Sequence, residues 1–185
     1  YRNMIYTDVC ASVINGGCFN FISYNSGYST INSGYCNRIC AGTWASVING
    51  GYANCICSYS CESVIDGGLY NNMYNTCRSV ILGGRGHYIG YRGYNVIAGG
   101  GCNCICRSSY NSILGGCDNR ICEYSCYGSI IGGCGSLLYC IGYSSIIGGR
   151  ANSVRNYSDA SSVIGGCDNS LYRGSCLSSI FGGYC

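Results

Sequence analysis

The stretch Ser12-Val13-Ile14-Asn15-Gly16-Gly17 returns as Ser46-Val47-Ile48-Asn49-Gly50-Gly51, as Ser63-Val64-Ile65-Asp66-Gly67-Gly68 and as Ser79-Val80-Ile81-Leu82-Gly83-Gly84. Counted from the first Gly of each pair, the unit begins at 16, 33, 50, 67, 83, 99, 115, 132, 148, 165 and 182, in steps of 16 or 17. That origin is Gly except at Ser33, and the residue after it is Gly in all eleven units. A repeat of this kind is the signature of a solenoid, in which each unit buries its apolar face only by stacking on its neighbours.

Three columns run through the units. At position −2 stand Ile14, Ile31, Ile48, Ile65, Ile81, Ile97, Ile113, Ile130, Ile146, Val163 and Ile180. At +6 stand Ile22, Ile39, Ile56, Met73, Ile89, Ile105, Ile121, Leu138, Val154 and Leu171. The two columns are always eight residues apart, so all length variation falls in the segment that returns to the next unit. At +4 stand Asn20, Asn37, Asn54, Asn71, Asn103, Asn119, Asn152 and Asn169, with His87 and Ser136 in the remaining slots. Two short apolar stretches and a Gly-Gly corner per unit predict an all-β parallel β-solenoid, a β-roll of about eleven coils. The apolar columns become ladders filling a thin core, and the Asn column an amide ladder between coils. At about 4.8 Å per coil the rod is roughly 50 Å long. Residues 1–185 read as a single domain, or as one window of a longer array.

Composition narrows the function classes. The chain has 31 Gly, 20 Tyr and 19 Cys but no Pro and no Lys, a content that argues against helices. Charged residues make up 9% and the net charge is +3, too small and dispersed to attract nucleic acid. The longest apolar run, Leu137 to Ile141, is far short of a membrane span, so neither nucleic acid nor membrane insertion is expected. With no Lys, His87 in a structural column and seven scattered acidic residues, the chain reads as no enzyme, without cofactor.

Outward positions carry a second apolar pattern. Position −3 holds Val13, Thr30, Val47, Val64, Val80 and Val96; further along, −1 becomes Leu114, Ile131, Ile147, Ile164 and Phe181. A second layer of the chain's own core is one reading. The favoured one is a stripe buried against another copy, because so long an apolar strip is too large to leave in water. Tyr also falls in columns: Tyr94, Tyr110, Tyr127 and Tyr143 at −5, and Tyr59, Tyr91, Tyr124 and Tyr157 at −8. Stacked aromatics covering a corner, or a glycan-binding surface, both fit them.

Nineteen Cys is the density of an oxidised extracellular scaffold. Cys40 and Cys57, Cys61 and Cys77, Cys106 and Cys122, and Cys117 and Cys134 share columns in adjacent coils, within disulfide reach. Cys-x3-Cys spacing offers a competing scheme, Cys57 with Cys61 and Cys122 with Cys126. Cys102-x-Cys104-x-Cys106 puts three sulfurs on one strand face, yet without a second cluster at zinc spacing no metal site is expected.

The units Ser12-Val13-Ile14-Asn15-Gly16-Gly17 and Ser144-Ser145-Ile146-Ile147-Gly148-Gly149 resemble the repeats of trimeric autotransporter adhesin heads and of phage and giant-virus fibre proteins. The resemblance implies a left-handed parallel β-roll, often trimeric, with a structural or adhesive role outside the cell. The leading expectation is a structural protein of an extracellular or virion fibre, a homo-oligomer assembling side by side and end to end into an open filament. Asn3 and Ile5 fit the +4 and +6 columns where Gly182-Gly183-Tyr184-Cys185 leaves off, with Cys185 as an interchain thiol. An adhesin shaft binding surface glycans is the alternative. Ice binding is a third reading, weakened by only four Thr, at 7, 30, 43 and 76.

Overall fold

The computed structural model describes residues 2–184. Twenty-two strands of two or three residues form two eleven-stranded sheets, and the chain is an all-β parallel β-solenoid. One sheet collects the strands that follow each Gly pair, from Met4–Ile5 to Ser170–Leu171. The other collects those that precede it, from Val13–Ile14 to Ser179–Phe181. Every strand pairs in parallel with the strand one coil away, as in the register Ile48↔Ile65, Ile65↔Ile81 and Ile81↔Ile97. Single bridges such as Tyr35↔Tyr52 and Cys61↔Cys77 mark two further sides, so each coil turns four corners.

With only two or three residues per strand, burial alternates within most strands, as in Cys55–Cys57 and Ser129–Ile131. The −2 and +6 side chains face each other across the interior, and from Ile22 to Val163 they are fully buried. Ile14 and Ile180, in the outermost coils, are half-buried. The core is thus one stack of side chains from each sheet.

The Gly pair divides into two roles. At Gly51 φ is +86°, and an added Cβ would strike the Gly68 carbonyl oxygen of the next coil and lie 2.6 Å from Asn54 Nδ2. The first Gly of the pair has room for a side chain, although in every unit from Gly67 onward it is left-handed too. A Cβ on Gly50 would meet only the Ser33 hydroxyl at 3.1 Å, and Gly50 is not left-handed, which is why Ser33 fits the same column.

The Asn column bonds from coil to coil as the sequence suggests, and its partners are mainly backbone groups. Asn54 Nδ2 donates to the Gly50 carbonyl of its own coil at 2.9 Å and to the Gly68 carbonyl of the next at 3.0 Å. Its Oδ1 accepts the backbone N–H of Asn71 at 3.0 Å. A buried amide therefore bonds three backbone groups at the corner, adding to the main-chain bond that Tyr52 N–H already makes to the Gly68 carbonyl. Amide-to-amide bonding occurs in the buried column from Asn169 to Asn152 and runs further on the surface at −1, where Asn15 donates to Asn32 and Asn32 to Asn49, and Asn49 donates to the Asp66 carboxylate.

A second buried ladder runs along −4. The Ser12, Ser29, Ser46 and Ser63 hydroxyls each accept the backbone N–H of the next coil's −4 residue, at 2.9–3.3 Å. Asn95 and Asn111 continue it with their side-chain oxygens.

His87 occupies one slot of the Asn ladder. Its Nδ1 accepts the Asn103 N–H at 3.1 Å, doing the work of an Asn Oδ1, while its buried Nε2 has no partner. Burial holds its pKa below the ordinary value, and protonation at Nδ1 would set two N–H groups against each other.

Two outcomes follow from these corners. Gly51→Ala should cost at least about 2 kcal/mol in urea unfolding, against under about 1 kcal/mol for Gly50→Ala. Burial lowers the His87 pKa on folding, so the unfolded chain binds its proton more readily. Stability should be full above the unfolded histidine value of about 6.5 and fall as pH drops below it. His87→Asn should remove that dependence between pH 7 and pH 5 and raise the unfolding midpoint, read by circular dichroism.

Candidate functional site

The +5 and +7 side chains project from the outer face of the first sheet, because +6 is committed to the core. On the strand Cys55–Cys57 the two cysteines therefore flank buried Ile56 and point outward together. One coil below, Cys40 brings its sulfur to 2.7 Å from Cys57 and 3.6 Å from Cys55. The strand Cys104–Cys106 repeats the arrangement, with Cys122 one coil above at 3.1 Å from Cys106. In each group all three sulfurs lie within 4.8 Å of one another. The remaining corner of each rectangle is an arginine, Arg38 opposite Cys55 and Arg120 opposite Cys104.

Each group favours a single thiolate. Hydrogen bonds from Cys55 and Cys57, helped by the Arg38 charge, lower the Cys40 thiol to about 3. Cys104 and Cys122 lower Cys106 to about 3 in the same way, with Arg107 and Arg120 assisting. The donors move the other way: Cys57, bonded first to Cys40, and Cys104, bonded first to Cys106, are pushed up to about 12. Cys55 and Cys122 are raised as well, chiefly through their bonds to Cys40 and Cys104.

These groups correct one expectation. Cys102 does not join Cys104 and Cys106: it is an exposed corner residue at φ 54°, and Cys122 of the next coil takes its place. Three sulfurs gathered in this way are a donor set of the kind a soft ion takes.

The column pairing of cysteines has one covalent instance among the described residues, the Cys61–Cys77 disulfide, with Cα atoms 4.6 Å apart. Cys117 and Cys134 sit with sulfurs 3.1 Å apart. The Cys-x3-Cys scheme is not adopted: Cys61 is bonded to Cys77, and the Cys122 sulfur lies against Cys106 while Cys126 carries no disulfide. Cys185 lies outside the described residues.

On the opposite sheet, the −3 and −1 residues are not a second core layer. Val13, Leu114, Ile131, Ile147 and Phe181 are exposed, and Val47, Val64, Val80 and Ile164 half-buried. Leu82 belongs to the same row and is also exposed. At −5, Tyr94, Tyr110, Tyr127 and Tyr143 form a continuous stack with centroids 4.7–5.1 Å apart and planes within 13°. The −8 tyrosines do not stack on one another: they recur every second coil, and Tyr91 and Tyr124 instead meet Arg107 and Arg92. Of the acids, Glu62 pairs with Arg78 at 2.8 Å and Glu123 with Arg107 at 3.0 Å, while Asp159 accepts the Gly142 N–H.

The −4 ladder and the Arg corners escaped the sequence reading. The first was signalled by the Ser that opens each Ser-Val-Ile motif, the second by Arg38 and Arg120 sharing the column of Cys55 and Cys104.

The architecture defines a class, parallel β-solenoid repeat proteins. No family model matches the chain, and no curated protein does. Among solved structures it is similar to a UDP-N-acetylglucosamine acyltransferase from Campylobacter jejuni, at 11% identity and a TM-score of 0.40. That match covers 92% of this chain and 68% of the other. It is a likeness of coil stacking, and the enzyme's activity belongs to that protein.

Proposed function

We propose that this chain is a structural rod of an extracellular or virion fibre, associating side by side with further copies of itself. The observation that carries this reading is the exposed apolar row on the second sheet. Leu82 is 54% exposed, Leu114 48%, Ile131 42% and Phe181 76%, one above another on a flat parallel sheet. A strip of this kind is covered most economically by the same strip on a second rod, because the coil spacing then matches along its length. The Cys61–Cys77 disulfide supports an oxidising, extracellular setting, beside sixteen described cysteines that carry no disulfide. Ice binding loses its surface, since Thr43 and Thr76 are buried.

Light scattering at micromolar concentration should give a particle heavier than the 19.6 kDa chain. Leu114→Asp combined with Ile131→Asp should return it to the monomer mass, while Tyr139→Asp on the other sheet leaves assembly unchanged. A wild-type protein monomeric at every concentration would refute lateral association.

A second reading has its own observation, the exposed four-ring stack from Tyr94 to Tyr143. The rings face one another, so the stack presents a row of ring edges and hydroxyls, a surface that offers both apolar and hydrogen-bonding contact to a sugar and suits an adhesive shaft. Glycan-array binding that disappears in Tyr110→Ser with Tyr127→Ser is the expected outcome of that reading.

A further inference from the structure

The same four-cornered motif occurs twice on the outer face of the first sheet. Cys40, Cys55 and Cys57 have Arg38 at the fourth corner; Cys104, Cys106 and Cys122 have Arg120. We propose that each cluster, when reduced, binds one soft monovalent cation of the Cu(I) type through three thiolates. This goes beyond the fibre reading and does not depend on it.

Number and kind of donors carry the assignment. Three sulfurs lie within 4.8 Å of one another, and among the described residues no His or carboxylate joins either group. Thiolates select soft ions, and Cu(I) accepts three of them. Structural zinc takes four protein ligands, and here the fourth corner is in both cases a guanidinium, which cannot ligate. That guanidinium has a different use. Three thiolates around one monovalent cation leave net negative charge, and Arg38 or Arg120 offsets part of it. Binding exchanges the remaining S–H protons of the cluster, released to solvent, for one cation, with no change of oxidation state.

Disulfide formation does not account for the motif. Cys40 with Cys57 and Cys106 with Cys122 are placed for such bonds, but a bond uses two sulfurs and leaves Cys55 and Cys104 without a role. Chance placement does not account for it either. The two clusters use the same columns in opposite order, with the lone cysteine in the coil below in one and above in the other. Both orders converge on three sulfurs and one Arg.

The test is a Cu(I) titration of the full chain, reduced and kept free of oxygen, against the chromogenic chelator bicinchoninate. Two equivalents per chain should be withheld from the chelator. Cys55→Ser should withhold one, Cys104→Ser one and the double variant none, while Cys117→Ser retains both. X-ray absorption of the loaded protein should show sulfur neighbours only, three per copper. If a serine variant loses its β circular dichroism, Cys40→Ser and Cys106→Ser give the same count from the other sulfur of each cluster. No copper withheld by the wild type, or two equivalents still withheld by the folded double variant, overturns the proposal. The count is independent of particle mass, so failure here leaves lateral assembly standing, and the reverse.

Discussion

A strand of two residues has no partner within its own coil, and everything else in this protein answers to that. Backbone groups are satisfied chiefly by the coil above or below, and where the chain turns buried side chains add to the main-chain bonds. The buried amide at Asn54 does this for three groups at once, reaching its own Gly50 and the next coil's Gly68 and Asn71. The glycine at +1 is part of the same device, because the neighbouring carbonyl and the Asn Nδ2 occupy the space a Cβ would need. His87 shows the minimum the slot demands. It supplies the acceptor at Nδ1 and leaves its other nitrogen orphaned, so one column position tolerates a substitution that keeps only part of the function.

Much of the fold was legible in the sequence because a solenoid repeats its physics. Ile48, Ile65 and Ile81 recur at fixed offsets, so their burial follows from the column rather than from long-range guesswork. What the Asn amides bond to was harder to read. A column of identical amides implies a ladder but does not say whether its rungs are other amides or the main chain, and the buried corner has unpaired main chain to offer. The thiol clusters were less legible still. Cys104 and Cys106 announce themselves by spacing, but the third member comes from the next coil, and its choice depends on where the chain leaves the strand. Cys102 stands as close in sequence as Cys106, yet sits on a left-handed corner and turns away.

The two sheets expose different chemistry. The second sheet presents branched apolar side chains at −3 and −1, and its polar members are Thr30, the ladder from Asn15 to Asp66 and the small Ser column that succeeds the valines. The first presents cysteine, arginine and tyrosine at +5 and +7. One of these, Tyr88, lies flat over Gly90 and is half-buried; desolvation pushes its phenol up to about 12. Since both sheets share one core, either outer face can change without disturbing the other. A rod of this kind can therefore be packed on one side while its other side is given over to chemistry.

All of the strand-to-strand hydrogen bonds point along the long axis of the rod, from one coil to the next. Tension applied along that axis opens them in line rather than sliding them past one another, and it opens them one coil at a time. Each coil that peels away releases 16 or 17 residues, roughly 55 Å of extended chain. The Cys61–Cys77 bond ties two successive coils at equivalent points and withholds one such length. Mechanically the molecule is a spool that pays out in even increments, with one turn knotted.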